Sequence, residues 1–177
     1  MKSAIMSPMK ALGLTLSALV LLAAGFAFAA LAPVDDRAAK GTKMKQTARG
    51  EFDVGIEPAD QQQHPDGVSV GRFGLDKRYH GDLEATAEGV MLTAGTAVEG
   101  SAAYVAIERV EGSLHGKQGS FVLQHTGTME RGAQSLKITV VPDSATGELT
   151  GLEGRLDIEI TEGEHLYTFE YSLPQGS

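Results

Sequence analysis

The chain has 177 residues, of which 42% are hydrophobic, with 15 basic and 23 acidic side chains (net charge −8), 22 Gly and no Cys or Trp. This length fits one domain of about 150 residues, and the lack of Cys excludes a disulfide framework, a thiol nucleophile, a thiolate zinc site and an iron–sulfur cluster. A negative chain without a compensating basic run lacks the attraction to phosphate that drives nucleic-acid binding, so no nucleic-acid partner is expected.

Residues 11–32 carry no charge, follow Lys2 and Lys10, and lead into Pro33 and the acidic pair Asp35, Asp36. A basic start, an apolar stretch and small residues at Ala27 and Ala29 predict a helical Sec-type signal peptide over residues 1–29, cleaved after Ala29. The alternative is an uncleaved anchor, because 22 apolar residues are long enough to cross a bilayer core. Either way the domain is exported to the periplasm or beyond, with membrane contact only transient where the segment is removed. No Cys follows the apolar stretch, which excludes a lipid anchor on cysteine. Without residues 1–29 the chain loses two lysines, leaving 13 basic against 23 acidic side chains and a net charge of −10. Residues 30–46 show no hydrophobic period and read as a flexible tether.

From Thr47 the period is two. Phe52, Val54 and Ile56 alternate with polar residues or Gly, the pattern of a strand with one buried face. The same alternation, with turns between, marks segments 68–77, 83–92, 102–114, 120–129, 136–141, 152–160 and 165–173. The turns are His64-Pro65-Asp66-Gly67, His80-Gly81-Asp82, the Gly-containing stretch 115–119, Arg131-Gly132, residues 142–147 and Glu162-Gly163. No window gives a helical stripe. About eight antiparallel strands joined by tight turns predict an all-β, up-and-down barrel over residues 47–174, with 175–177 as a tail. The interior of such a barrel is either filled by side chains or wide enough for one small ligand.

Several blocks carry a resemblance: residues 75–85 (LDKRYHGDLEA), 91–96 (MLTAGT), 100–108 (GSAAYVAIE), 119–125 (GSFVLQH) and 140–144 (VVPDS). They are similar to a bacterial family known only as domain of unknown function 3224, over about residues 50–173. One departure is Ala103, where the family pattern has Gly. The resemblance implies a small antiparallel barrel like that of allene oxide cyclase, and it implies no activity, since a fold does not carry a mechanism with it.

On strand 102–114, Tyr104, Ala106 and Glu108 share one face while Val105, Ile107 and Arg109 share the other. Both faces are largely apolar, so one of Glu108 and Arg109 is expected to point inward. On the next strand Phe121, Leu123, His125 and Met129 share a face, which sets an imidazole among apolar side chains. Glu108, His125 and Tyr104 are therefore the candidate catalytic residues, with the carboxyl and imidazole as an acid–base pair; the alternative is a structural Glu–His or Glu–Arg bridge. The candidate ligand-binding residues are Phe121, Leu123, Tyr167, Phe169 and Tyr171, although aromatic faces such as Tyr167, Phe169 and Tyr171 more often form core than a ligand cradle. His80, Asp82 and Glu84 carry metal-ligand atoms, but a corner at Gly81 separates them and a solvated hairpin accounts for them. No metal is assigned and no cofactor is expected.

Two functions remain open. One is a non-catalytic exported barrel that binds a small apolar or amphipathic molecule, or a protein, through lumen, mouth or outer face. The other is a cofactor-independent isomerase or cyclase acting inside the barrel. An outward Val105 or Ile107 would further supply an apolar face for a homodimer.

Overall fold

The computed structural model describes residues 43–174. The expected signal peptide, residues 30–42 of the expected tether and the tail 175–177 lie outside the described residues. The described chain forms eight strands: β1 (Lys43–Gln63), β2 (Ser69–Gly81), β3 (Leu83–Gly95), β4 (Ala102–Leu114), β5 (Lys117–Glu130), β6 (Ala133–Val140), β7 (Glu153–Thr161) and β8 (Glu164–Pro174). Each pairs antiparallel with its sequence neighbour, and β8 returns to β1, so the sheet closes into a barrel in chain order. The only helical element among the described residues is a 3-10 turn at Gly147–Leu149.

The turns explain the simple order. His115-Gly116, Arg131-Gly132 and Glu162-Gly163 are two-residue hairpin loops in which both residues have positive φ. That left-handed pair matches the twist of the flanking strands and so holds β4–β5, β5–β6 and β7–β8 in tight register. The first strand departs from expectation at both ends. It starts at Lys43, so residues 43–46 of the expected tether are strand, paired from Lys43 with Pro174 to Gln46 with Tyr171. It also runs past Ile56 to Gln63 opposite β2, with a bulge between Pro58 and Asp60. The alternation stops at Ile56 because the rest of β1 is exposed on both faces.

The two ends of the barrel differ. At one end Leu83, Leu114, Phe121, Phe169 and Leu173 fill the lumen together with Leu149 and Leu152. The last two come from the β6–β7 connection, which folds across that end and hydrogen-bonds β5 through Thr146 N–H to Ser120 C=O and Val141 N–H to Val122 C=O. Among the described residues no connection crosses the lumen at the other end in this way. β6 and β7 pair only at Ile138 with Leu156 and Thr139 with Arg155, next to the end of β6 that enters the covering connection. The seam therefore loses its ladder toward the open end.

Close approach inside the closed end depends on Gly50. The Tyr167 hydroxyl accepts the Leu83 N–H at 2.9 Å and donates to the His80 carbonyl at 3.1 Å. A methyl on Gly50 would lie 1.9 Å from that carbonyl and 2.7 Å from the hydroxyl. Gly50→Ala is expected to cost about 3 kcal/mol of unfolding free energy in a urea titration, because the backbone must shift. Gly55→Ala, whose methyl would meet nothing nearer than 3.9 Å, is expected to change it by less than about 0.5 kcal/mol. Equal effects at the two positions would refute the packing argument.

Candidate functional site

The inward face of β3 is small. Ala85, Ala87 and Gly89 occupy it in succession, and β3 lies between β2 and β4. Side chains from β2 and β4 can thus meet over β3. Glu108 on β4 sits opposite Gly89 in the ladder, and a Cβ at Gly89 would come within 2.8 Å of the Glu108 Cβ. From β2, Lys77 and Tyr79 sit opposite Ala87 and Ala85. His125 reaches in from β5.

The four side chains converge in the middle of the barrel. Glu108 is 1% exposed, His125 3%, Tyr79 1% and Lys77 8%. Tyr79 donates its hydroxyl to Glu108 Oε1 at 2.6 Å, and Lys77 Nζ lies 2.7 Å from Oε2 and 3.3 Å from the Tyr79 oxygen. The ammonium also lies 4.9 Å from the centre of the Phe52 ring, where the ring quadrupole attracts it. His125 Nε2 is 3.3 Å from Oε2. Neither Oε2 nor Nε2 has a hydrogen bond of acceptable alignment, so the imidazole lies against the carboxylate while Lys77 neutralises it.

Burial by itself pushes the Glu108 carboxyl up, but the His125 contact and the Lys77 charge outweigh it and bring it down to about 2. Burial, then the Glu108 charge and its hydrogen bond, push the Tyr79 phenol well above its ordinary value, which keeps it a donor. At neutral pH the group is a fixed ion pair with a neutral phenol and an imidazole at its sides. A carboxylate this acidic is a weak base and is not protonated to serve as an acid.

Of the expected catalytic residues, Glu108 and His125 are brought together. Arg109 points outward and pairs with Glu111, so the inward member of that pair is Glu108. Tyr104 lies two same-face positions from Glu108, beyond Ala106, toward the open end, half-buried, its ring against Gly127, where a Cβ would sit 2.2 Å from a ring carbon. Burial, then the Glu108 charge, raises the Tyr104 phenol. Lys77 and Tyr79 complete the cluster and were missed in the sequence, where the block 76–84 reads as polar on the parity of Asp76, Arg78 and His80. The signal for them is the other parity, Leu75-Lys77-Tyr79, a lysine between two core positions.

The open end holds a cavity of about 530 Å³ lined by Met91, Tyr104, Gly127, Met129, Leu136 and Ile160, with Ser69, Thr93, Thr128, Gln134 and Ser135 among its polar members. None of its lining residues is charged. A small annex of about 100 Å³ shares Ser69 and Thr93 with it. Surface grooves of similar size each carry charged residues, such as Arg49, Glu51, Asp157 and Glu159 in one and Lys45, Glu153, Arg155 and Glu170 in another. The cavity stops at Tyr104, since Glu108, His125, Lys77 and Tyr79 do not line it. Phe121, Leu123, Tyr167, Phe169 and Tyr171, the expected ligand residues, are all buried core, and none of them lines this cavity. Phe121 and Phe169 stack on each other with ring centres 5.7 Å apart.

The nominal metal set is divided among different partners. His80 faces Asp53 at 3.4 Å, Asp82 accepts the Arg49 N–H and faces His115 at 3.5 Å, and Glu84 accepts the Gly81 N–H. No group of three His, Cys, Asp or Glu side chains placed for a metal ion occurs among the described residues.

A family model described as "protein of unknown function (DUF3224)" matches residues 48–171. Among solved structures, the chain is similar to a crystal structure at 1.84 Å of a protein with unknown function from the DUF3224 family of Shewanella oneidensis MR-1. The two are 50% identical with a TM-score of 0.67, and the match covers 73% of this chain and 97% of that one. No curated protein matches the chain.

The low Glu108 pKa makes a stability statement. The folded carboxyl titrates at about 2 against an ordinary 4.5, so its contribution is full above about pH 4.5 and disappears as the pH falls through 2. Glu108→Gln is expected to lower the unfolding free energy at pH 7 by about 3 kcal/mol, since it also leaves Lys77 buried without its counter-ion. In urea titrations the gap between variant and parent should narrow below pH 4.5 and close near pH 2. A gap independent of pH would show that the carboxylate charge is not what stabilises the centre.

Proposed function

We propose that this chain, which belongs to the DUF3224 family, is a non-catalytic binding barrel that takes a small, neutral, amphipathic molecule into its open mouth. The observation that carries the reading is the uncharged lining of the open-end cavity in a chain otherwise dense in charge. Its volume, about 530 Å³, falls in the range of small-molecule pockets. Met91, Met129, Leu136 and Ile160 offer apolar surface that adapts to shape. The Tyr104 hydroxyl has no hydrogen-bond partner among the described residues, so it is available to orient one polar group of a ligand. An ionised ligand group would be desolvated there without a counter-charge, since Lys77 and Glu108 already neutralise each other below. That favours an alcohol, ketone or similar neutral head over a carboxylate or an amine.

Catalysis by Glu108 and His125 is the second reading, and two features weigh against it: the carboxylate is held strongly acidic by its partners, and Tyr104 stands between it and the cavity. Export of the domain, expected from residues 1–29, fits a binding role outside the cytoplasm.

The neutral fluorophore N-phenyl-1-naphthylamine tests the proposal. Its emission is expected to rise on mixing with the protein, with a Kd in the micromolar range. Met129→Arg, which brings a charge to the lining, should weaken binding by about tenfold or more, whereas Phe169→Leu, in the packed end, should leave it within about threefold. Binding that ignores Met129→Arg would place the probe elsewhere and overturn the reading.

A further inference from the structure

The outer surface of β3 and β4 gathers four large exposed apolar side chains in adjacent rows. Val90 and Leu92 on β3 and Val105 and Ile107 on β4 point outward and are between 42% and 51% exposed. They are direct cross-strand neighbours, Val90 beside Ile107 and Leu92 beside Val105, so they form one contiguous patch rather than scattered residues. The next row along the same strands is charged, with Glu88 beside Arg109. Toward the open end the row beyond Leu92 and Val105 is Ala94 beside Ala103, which lets another surface come close.

We propose that this face is the interface of a homodimer whose twofold axis runs between β3 and β4, parallel to the strands. Charge decides the geometry. Rotation about that axis sets each β3 over the β4 of the other protomer. Leu92 then covers Val105, Val90 covers Ile107, and Glu88 of one protomer faces Arg109 of its partner, twice by symmetry. An axis lying across the strands would set each Glu88–Arg109 row over the partner's alanine row, so that no charge would meet an opposite charge across the contact. The first arrangement is self-complementary, as an isologous contact must be, and it keeps the strands of the two packed sheets aligned, as face-to-face sheets prefer. The four large apolar side chains form the centre of a patch that must reach about 800 Å² per protomer for a stable dimer. Arg72 beside Leu92, and Thr126 and Gln124 beside Val105 and Ile107, continue it as a polar rim.

Light scattering coupled to gel filtration of the full chain tests the proposal. The parent protein should run as a dimer, and Val105→Lys, at an exposed position, should run as a folded monomer with the parent's far-UV circular dichroism spectrum. Glu88→Arg alone and Arg109→Glu alone each create two like-charge contacts and should weaken the dimer about tenfold or more. An equimolar mixture of those two variants restores opposite charges at both contacts and should recover the dimer as a mixed pair. A parent protein that remains monomeric at about 100 μM, a dimer that survives Val105→Lys, or variants that fail to complement each other when mixed would each overturn it. A face covered instead by the N-terminal segment of the same chain would show as the first of these results.

Discussion

An eight-strand sheet closed on itself encloses a space that something must fill, and the way this chain fills it sets everything else. A connection folded over one end carries Leu149 and Leu152 into the lumen and seals it against the aromatic side chains of β5 and β8. The middle is filled by an ion pair and its two polar neighbours. The far end is left with a cavity because the strands that would close it, β6 and β7, share only two ladder positions. One packed end, a charged floor and an open mouth follow from a single closure problem.

The charged floor is a consequence of small residues as much as of charged ones. Ala85, Ala87 and Gly89 give β3 an inward wall almost without side chains, and larger residues there would occupy the space in which Lys77, Tyr79 and Glu108 meet. A buried pair adds little stability over a well-packed apolar centre and is costly once one partner is lost. Its value in this barrel is geometric. It holds four side chains from three strands, β2, β4 and β5, in one arrangement beneath Tyr104, which fixes the base of the cavity above.

How far this was legible in the sequence varies with the range of the contacts involved. Strand alternation and two-residue Gly turns are local, so the all-β closed barrel, its strand order and the inward His125 could be read directly, whereas two largely apolar faces left open which of Glu108 and Arg109 points inward. Lys77 and Tyr79 were obscured because Asp76, Arg78, His80, Asp82 and Glu84 make a denser polar pattern on the opposite parity. The start of β1 at Lys43 was hidden because its partner, residues 171–174 of β8, is more than a hundred positions away, and strand residues with both faces wet show no period. The position of the cavity was not legible at all. It depends on where β6 stops pairing with β7 and on which end the 141–152 connection covers, and neither is encoded in any one segment. The aromatic face of β8, which by its residue types more often forms core than a cradle, is core, sealed by the plug.

The mouth and the outer apolar face are linked through the strands they share. Met91, Thr93 and Tyr104 face the cavity from β3 and β4, and Leu92 and Val105, their immediate neighbours, face outward on the same two strands. In a pleated strand a side chain on one face cannot shift far without moving the adjacent one on the other. Pairing two barrels through that outer surface would therefore clamp the backbone behind one wall of the cavity, while the opposite wall at Leu136 and Ile160 keeps the freedom of an incomplete ladder. A ligand entering the mouth would meet one fixed side, bearing the Tyr104 hydroxyl, and one yielding side of aliphatic carbon. That division suits recognition of a molecule with a single polar group and a flexible apolar body: the fixed wall orients the head and the yielding seam accommodates the tail.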